Sequence, residues 1–516
     1  METKVQLKNL YLIAVIAIGL IGLGVGSTFA MFTANVSIDN PIAFNSNLSS
    51  TNSLAETIEV TVPAIGAKSV DLVISNSNAE ALNYVAWYLP STSGVSAIAD
   101  SSDNNYNSEG ALASSGSFTL TVTVWNRGSS TTTVTVGISS SSESQFVIPD
   151  GAVVIPTGTA TPIINENAAT YITNLYLDNK DATPVTNNGT DYYVASDEHL
   201  MNDRNGGVDT LESGTGNIRY YGASATTNNY MYFNCENYLA QDDETCELWR
   251  IIGIFDGKLK IIRNESIGTF SWDSSPSDVN GGGGISQWGP STYISDGSVY
   301  SGADLMKILN DGFTDNQDYD SSGNLIPIDN SLYWRRESGV CHAKSNNRIK
   351  NCDFTSTGLR ENTRSKISTE TFSLSASSLN TPANAYAYER RTSYSVTATD
   401  DVNRNLVWSG KVGLMYISDY AYAVDFSKCN VNKISLYNSD SDPNYCFSND
   451  WLITGSYEWF ISHSSAQKAC RTSTNGSIGC PDAANDLGVR PVVFLNSNTS
   501  FWVGNGTIDA PYQISN

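Results

Sequence analysis

Oxygen donors recur from Asp318 to Asp329 in the run Asp-Tyr-Asp-Ser-Ser-Gly-Asn-Leu-Ile-Pro-Ile-Asp. Asp318, Asp320, Ser322, the Asn324 carbonyl and Asp329 stand where a calcium loop places its ligands, with Gly323 at the sharp turn. Calcium needs six to eight hard oxygens converging on one point, and this spacing can supply them. Three features oppose it: Asp329 is shorter than the usual bidentate Glu, Pro327 stiffens the exit, and no helical pattern follows. The plainer reading of an Asp/Ser/Gly loop in an acidic chain is solvated surface. Calcium is the one cofactor the sequence offers.

Aromatics are the second asset, because a flat apolar ring suits the C–H face of a pyranose. Trp249, Trp334, Trp408, Trp451 and Trp459 are available, with Trp249, Trp451 and Trp459 as the candidate ligand contacts. The competing use of every large aromatic is core. Only three His are present, His199, His342 and His463, too few for a multi-His metal centre. His463 lies between Ser462 and Ser464, but chain neighbours seldom face each other as nucleophile and base. No Gly-rich phosphate loop, His-Glu-x-x-His or Gly-x-Ser-x-Gly string occurs, so no catalytic residue is assigned. Glu389, Arg390 and Arg391 read as exposed charge or an ion pair. Arg490, inside an apolar terminal strand, should meet a buried carboxylate.

The eight Cys fall in chain order as close neighbours: Cys235 and Cys246, Cys341 and Cys352, Cys429 and Cys446, Cys470 and Cys480. Eight Cys allow 105 connectivities, so spacing alone proves no pairing. Zinc would want tighter Cys knuckles, and none exists. Local disulfides are the expectation, each worth on the order of 3 kcal/mol if unstrained, in an oxidising compartment.

The elements that must carry these groups fall into two regions. The chain has 516 residues, with 52 Asp plus Glu against 29 Lys plus Arg and a net charge of −23. That balance opposes a nucleic-acid partner, which needs clustered cations. Residues 1–33 read as a signal peptide or membrane-anchoring helix: Lys4 and Lys8 precede the apolar run from Leu10, with Thr28-Phe-Ala30 as a cleavage site. Residues 34–155 alternate apolar and polar in Thr57–Val62, Ser69–Ile74, Ser117–Val124 and Thr131–Ile138, with turn clusters between them, as in a two-sheet β-sandwich. Residues 156–185 read as a linker, with an ambiguous helix or strand near Ala169–Tyr176. Residues 186–516 hold all the Cys and a few strong apolar pieces, including Leu248–Phe255, Leu259–Arg263, Gly413–Ile417 and Val489–Leu495. Asp256-Gly257 signals a hairpin between the first two. A helical period shows over Ser301–Leu309. This region is expected to be α+β, loop-rich and disulfide-stapled.

Gly24-Val-Gly-Ser-Thr-Phe-Ala-Met-Phe-Thr33 resembles the leader of camelysin and biofilm-fibre proteins of Gram-positive bacteria. That resemblance implies a fibre-forming or adhesive sandwich. Glu247–Gly257, Ile261–Gly268, Trp408–Tyr416, Asn449–Leu452 and Gly488–Leu495 resemble, in that order, an uncharacterised family of Gram-positive and mollicute-type surface proteins. The closing block is similar to the last strand of C-type-lectin-like and sulfatase-modifying-factor folds. Trp459-Phe-Ile-Ser-His463 departs from that family's usual Trp-x-x-Ser-Pro. Asp442-Pro-Asn444 and Asn449-Asp-Trp451 resemble the lectins' calcium and sugar tripeptides but lie too close together.

Together these readings give an exported bacterial protein, secreted or on the outer side of the membrane: one hydrophobic helix, an all-β sandwich and a disulfide-stapled, C-type-lectin-like α+β domain. Non-enzymatic binding of a glycan or protein is the leading expectation. A structural matrix or fibre subunit is the alternative, and a sulfatase-modifying-like enzyme using Cys470 and Cys480 comes third. An uncleaved leader would add the membrane as a partner.

Overall fold

The computed structural model describes residues 42–515 except 49–56, 101–106, 158–162, 204–215, 274–285, 312–317, 320–324, 327–331, 392–401, 430–433, 435–445 and a few shorter stretches. The leader Leu10–Phe32 lies outside them. Among the described residues no helix is long and apolar enough to cross a membrane. Strand dominates, at 44% against 11% helix, and the chain divides into two compact units, Met1–Thr161 and Pro162–Asn516.

The first unit contains β1 (Ile42–Asn47), β2 (Thr57–Val62), β3 (Gly66–Ser75), β4 (Leu82–Leu89), β5 (Val95–Asp100), β6 (Glu109–Leu112), β7 (Ser117–Asn126), β8 (Thr132–Ser141) and β9 (Val153–Val154). One sheet runs β1-β3-β7-β5 and the other β2-β8-β4-β6, with β9 also on β4. Alternation along each strand sends one side inward: Val70, Leu72 and Ile74 on β3, Leu120, Val122 and Val124 on β7, Val134, Val136 and Ile138 on β8. These residues of both sheets form a single apolar cluster. With no Cys in this unit, burial must hold it, at about 25 cal/mol per Å2 of apolar surface. Gly137 faces Trp87 across the β8–β4 ladder, and a Cβ there would lie 2.4 Å from the Trp87 ring. The glycine lets the indole lie flat while its Nε1 donates to Ser139 Oγ at 2.9 Å. The turn asparagines plug buried carbonyls: Asn76 Nδ2 donates to Glu80 O and Leu112 O, and Asn126 Nδ2 to Pro63 O and Ser130 O.

The second unit is built on a sheet whose path runs Val194–Ala195, Leu200–Asn202, Ile218–Tyr220, Glu247–Phe255, Lys258–Arg263, Val492–Phe494, Val412–Gly413, with Tyr230–Phe233 also on Glu247–Phe255. Every pairing is antiparallel. The Asp256-Gly257 hairpin forms as expected, with both residues at positive φ, 49° and 74°, the combination a tight two-residue turn demands. Three blocks distant in sequence, Glu247–Arg263, Val412–Gly413 and Val492–Phe494, thus become neighbours. A second sheet joins Thr269–Ser271, Asp486–Gly488, Glu458–Ser465, Lys468–Thr472 and Ile478–Gly479. The helix expected over Ser301–Leu309 spans Asp304–Leu309.

The expected linker 156–185 is corrected. Ile163–Asn167 pairs with Ser500–Val503, and a helix, Ala168–Asp178, follows, capped by Asn167 Oδ1 accepting from Thr170 N at 3.1 Å. Its buried face is Ala168, Ala169, Ile172 and Tyr176. Half of that face is alanine, which is why its period is faint in the sequence.

Candidate functional site

All four neighbouring Cys pairs are bridged: Cys235–Cys246, Cys341–Cys352, Cys429–Cys446 and Cys470–Cys480. No described cysteine is free. Cys341–Cys352 crosses the hairpin of Ser338–Ser345 and Arg348–Asp353, and Cys470–Cys480 spans the end of the second sheet. Four disulfides point to an oxidising, extracellular environment.

The tryptophan assignment is corrected by burial. Trp249, Trp451 and Trp459 are 0%, 2% and 1% exposed, so none offers a ring face to a sugar. Trp451 Nε1 donates to Tyr220 O at 3.0 Å and Trp459 Nε1 to Phe270 O at 2.9 Å. Trp249 packs edge-on to Phe233 and tilted against Trp334. Among the described residues the exposed aromatics are instead Phe447 and Tyr457. The Arg471 guanidinium sits 4.5 Å from the Tyr457 ring centre. No periodicity singles these two out in the sequence. Of the calcium-loop residues, Asp318 lies in a short strand opposite Ile326. Asp320, Ser322, Asn324 and Asp329 lie outside the described residues, as does Asp442-Pro-Asn444. Among the described residues no cluster of three or more His, Cys, Asp and Glu could hold a metal.

Charged groups converge inside the second unit. Asp203 Oδ2 accepts from Arg219 Nε at 2.5 Å and from Asn217 Nδ2 at 2.8 Å, and its Oδ1 accepts from Asn217 N at 2.9 Å. Arg219 Nη1 also donates to Asp419 Oδ1 at 2.9 Å. Asp419 Oδ2 accepts from Lys260 Nζ and from Tyr416 N, capping the short helix Ile417–Tyr422. Burial alone would raise the Asp419 carboxyl, but Lys260 and Arg219 hold it below its ordinary value. Burial pushes the Lys260 ammonium down to about 8 against the pull of Asp419. One step further, Glu389 accepts from Ser418 N at 3.0 Å, Ser418 Oγ at 2.6 Å, Ser462 Oγ at 3.3 Å and Arg390 Nη1 at 3.2 Å. Glu389 is 1% exposed and pairs with Arg390, so of its two readings, exposed charge and ion pair, the ion pair holds. Burial raises its carboxyl above the ordinary value, with Arg390 opposing. Every carboxylate oxygen of the three acids already accepts a hydrogen bond, so the lattice locks strands to helix in one geometry.

A second buried group surrounds Arg250, whose guanidinium lies between the rings of Tyr230 at 4.1 Å and Trp451 at 4.7 Å. It donates to neutral acceptors, Asn229 Oδ1, Ser224 Oγ and Thr227 O, and burial pushes it down to about 10. Asp450 is buried beside it: Oδ1 accepts from Leu452 N at 2.8 Å, while Oδ2 has no hydrogen-bond partner among the described residues. Burial raises this carboxyl to about 8, with the Leu452 N–H, Arg490 and Arg250 pulling the other way. Arg490 meets a buried carboxylate as expected, with Nη1 3.4 Å from Glu458 Oε2. Ser462 is bonded to Glu389, and His463 is buried and driven down to about 3 by burial and by Arg404.

No family model matches the chain, and no curated protein or solved structure matches it either.

Proposed function

We propose that this chain is an exported bacterial surface protein whose second unit binds a glycan or protein without transforming it, the first unit being a β-sandwich spacer. In this reading the second unit is a C-type-lectin-like module, and the leader resemblance gives its route out of the cell. The observation that carries the proposal is the set of four local disulfides, all in one unit. Each ties positions only 10 to 17 residues apart, a local stapling that suits presented surface segments better than an interior reaction chamber. The carboxylates of Asp203, Asp419 and Glu389 support it, since each of their oxygens already accepts a hydrogen bond within the fold.

The test is binding of the whole exported protein to arrays of glycans and extracellular matrix proteins, with and without a calcium chelator. Retention on one ligand class supports the proposal, and a chelator-dependent signal adds calcium at Asp318–Asp329. Silence across both arrays overturns it. A matrix or fibre subunit is the second reading, favoured by β2 pairing on one side only, with β8, among the described residues. Such edges are templates for another chain. Filaments that lengthen with concentration would select that reading, and a monomer at every concentration would remove it.

A further inference from the structure

Residues 335–366 carry eight Lys and Arg (Arg335, Arg336, Lys344, Arg348, Lys350, Arg360, Arg364 and Lys366) against three acids, Glu337, Asp353 and Glu361. In a chain of net charge −23, this is a sharp local inversion of sign. The fold brings Arg335, Arg336, Arg360 and Arg364 of this set together. Arg335 bridges to Leu359, and Gly358 packs so closely that a Cβ would lie 2.3 Å from the Arg335 carbonyl carbon. The Arg335–Arg336 backbone therefore lies directly on the Gly358–Arg360 turn. Arg364 Nη2 reaches back to Trp334 O at 3.5 Å, and the Tyr333 ring lies 4.9 Å from the Arg335 guanidinium and 4.5 Å from that of Arg364. The stapled hairpin Ser338–Asp353 leaves from the same place, with a shallow depression of about 320 Å3 on Ser338, Gly339, Asn351, Cys352 and Asp353.

The local carboxylates leave these arginines under-used. Glu247 is occupied by Arg263 Nε at 2.9 Å and Asn234 Nδ2 at 2.9 Å, so Arg336 approaches it only to 3.7 Å. Asp311 stands 3.6 Å from Arg364 Nη1, and Glu337 pairs with Arg335 at 2.6 Å in the open. Glu236 also faces Arg360. The Nε atoms of Arg335, Arg336 and Arg364, and Nη1 of Arg364, are buried and make no hydrogen bond among the described residues, so what a ligand can reach is the exposed part of Arg335 and Arg336, whose side chains are 40% and 31% exposed. Arg364 is 6% exposed. An exposed guanidinium recognises sulfate, phosphate or carboxylate by charge and paired N–H donors.

We propose that the Arg335/Arg336/Arg360 surface, backed by the buried Arg364, is the binding site for an anionic polysaccharide. The proposal rests on the binding reading given above and names its ligand class. A flexible polymer fits better than a membrane plane, because a flat anionic surface would also face the acidic remainder of the molecule. A thin chain can follow the basic ridge alone. The exporting environment disfavours nucleic acid, which shares the charge.

The experiment uses the whole disulfide-bonded protein against immobilised sulfated, glycerol-phosphate and uronate polymers. Neutral dextran, single-stranded DNA and anionic vesicles serve as comparators. Wild type is expected to bind at least one of the three anionic polymers, with affinity falling steeply as salt rises. The double variant R335E/R336E reverses two side chains that are 40% and 31% exposed and is expected to lose at least tenfold. K428E/K468E makes the same change in net charge at side chains 57% and 51% exposed elsewhere and should lose less than twofold. Equal losses in the two variants overturn the site. Tighter binding to DNA or vesicles overturns the ligand class. If no anionic polymer binds while a neutral glycan or a protein does, this inference falls and the binding function stands. If nothing binds, both fall.

Discussion

Replacing Asp450 by Asn should change the pH dependence of stability more than the stability itself. The carboxyl is pushed from 3.8 to about 8, chiefly because a charged oxygen with no hydrogen-bond partner would have to sit in the core beside Trp451. The folded chain therefore keeps this proton up to about pH 8, whereas the unfolded chain releases it near pH 4. Stability contributed by the neutral acid is whole below pH 4 and is lost as pH rises through that window. At about 1.4 kcal/mol per pH unit, the full span sets a ceiling of about 5–6 kcal/mol, and local relaxation will reduce it. Asn keeps the oxygen that accepts from Leu452 N and cannot ionise. At pH 4 the variant should match wild type to within about 1 kcal/mol, at pH 5 it should already lead by about 1.5 kcal/mol, and by pH 8.5 by several kcal/mol on that scale. Denaturant unfolding with intact disulfides, followed by tryptophan fluorescence, measures this. Eight of the ten Trp lie beyond residue 162, so the signal reports mainly the second unit. Two stability curves running parallel from pH 5 to 8.5 would refute the argument, because Asp450 would then be titrating like an ordinary surface carboxylate.

Three further outcomes follow from the same geometry. Gly137→Val puts a side chain into the Trp87 ring and should cost about 1–3 kcal/mol, seen as a lower melting temperature for the first unit alone in calorimetry. Lys260→Met strands Asp419 with one cation fewer in a fully buried place and should destabilise the second unit by about 3–5 kcal/mol, read by chemical denaturation. Adding Asp419→Leu to that variant should recover part of the loss. The pair Cys341→Ser and Cys352→Ser opens a bridge of sequence separation 11 and should cost about 3 kcal/mol, with earlier proteolytic cutting inside Ser338–Asp353 as the readout.

What the sequence discloses here is what acts over short range. Alternation names Thr57–Val62 and Ser117–Val124 as strands, Asp256-Gly257 marks its own turn, and each Cys pairs with its neighbour. The interior charges are different. Arg219 meets Asp419 across 200 residues and Lys260 meets it across 159, and nothing local to any of the three announces the encounter. Glu389 next to Arg390 looks like surface charge until Ser418 and Ser462 arrive to satisfy it. The tryptophans mislead for a related reason: an indole that stacks on sugar and one that fills a core have the same composition. Only the carbonyls of Tyr220 and Phe270, supplied by distant strands, decide between the two uses. The helix Ala168–Asp178 hides because alanine contributes little contrast, so a segment that begins the second unit reads as a tether.

The pairing of Ile163–Asn167 with Ser500–Val503 means that the second unit is closed by its own two extremities, side by side like the ends of a necklace at its clasp. A pull applied between them would first part that short ladder strand by strand. Beyond it, Ile514 is held by Gln241 of the stapled Cys235–Cys246 loop, so that loop would feel the force next.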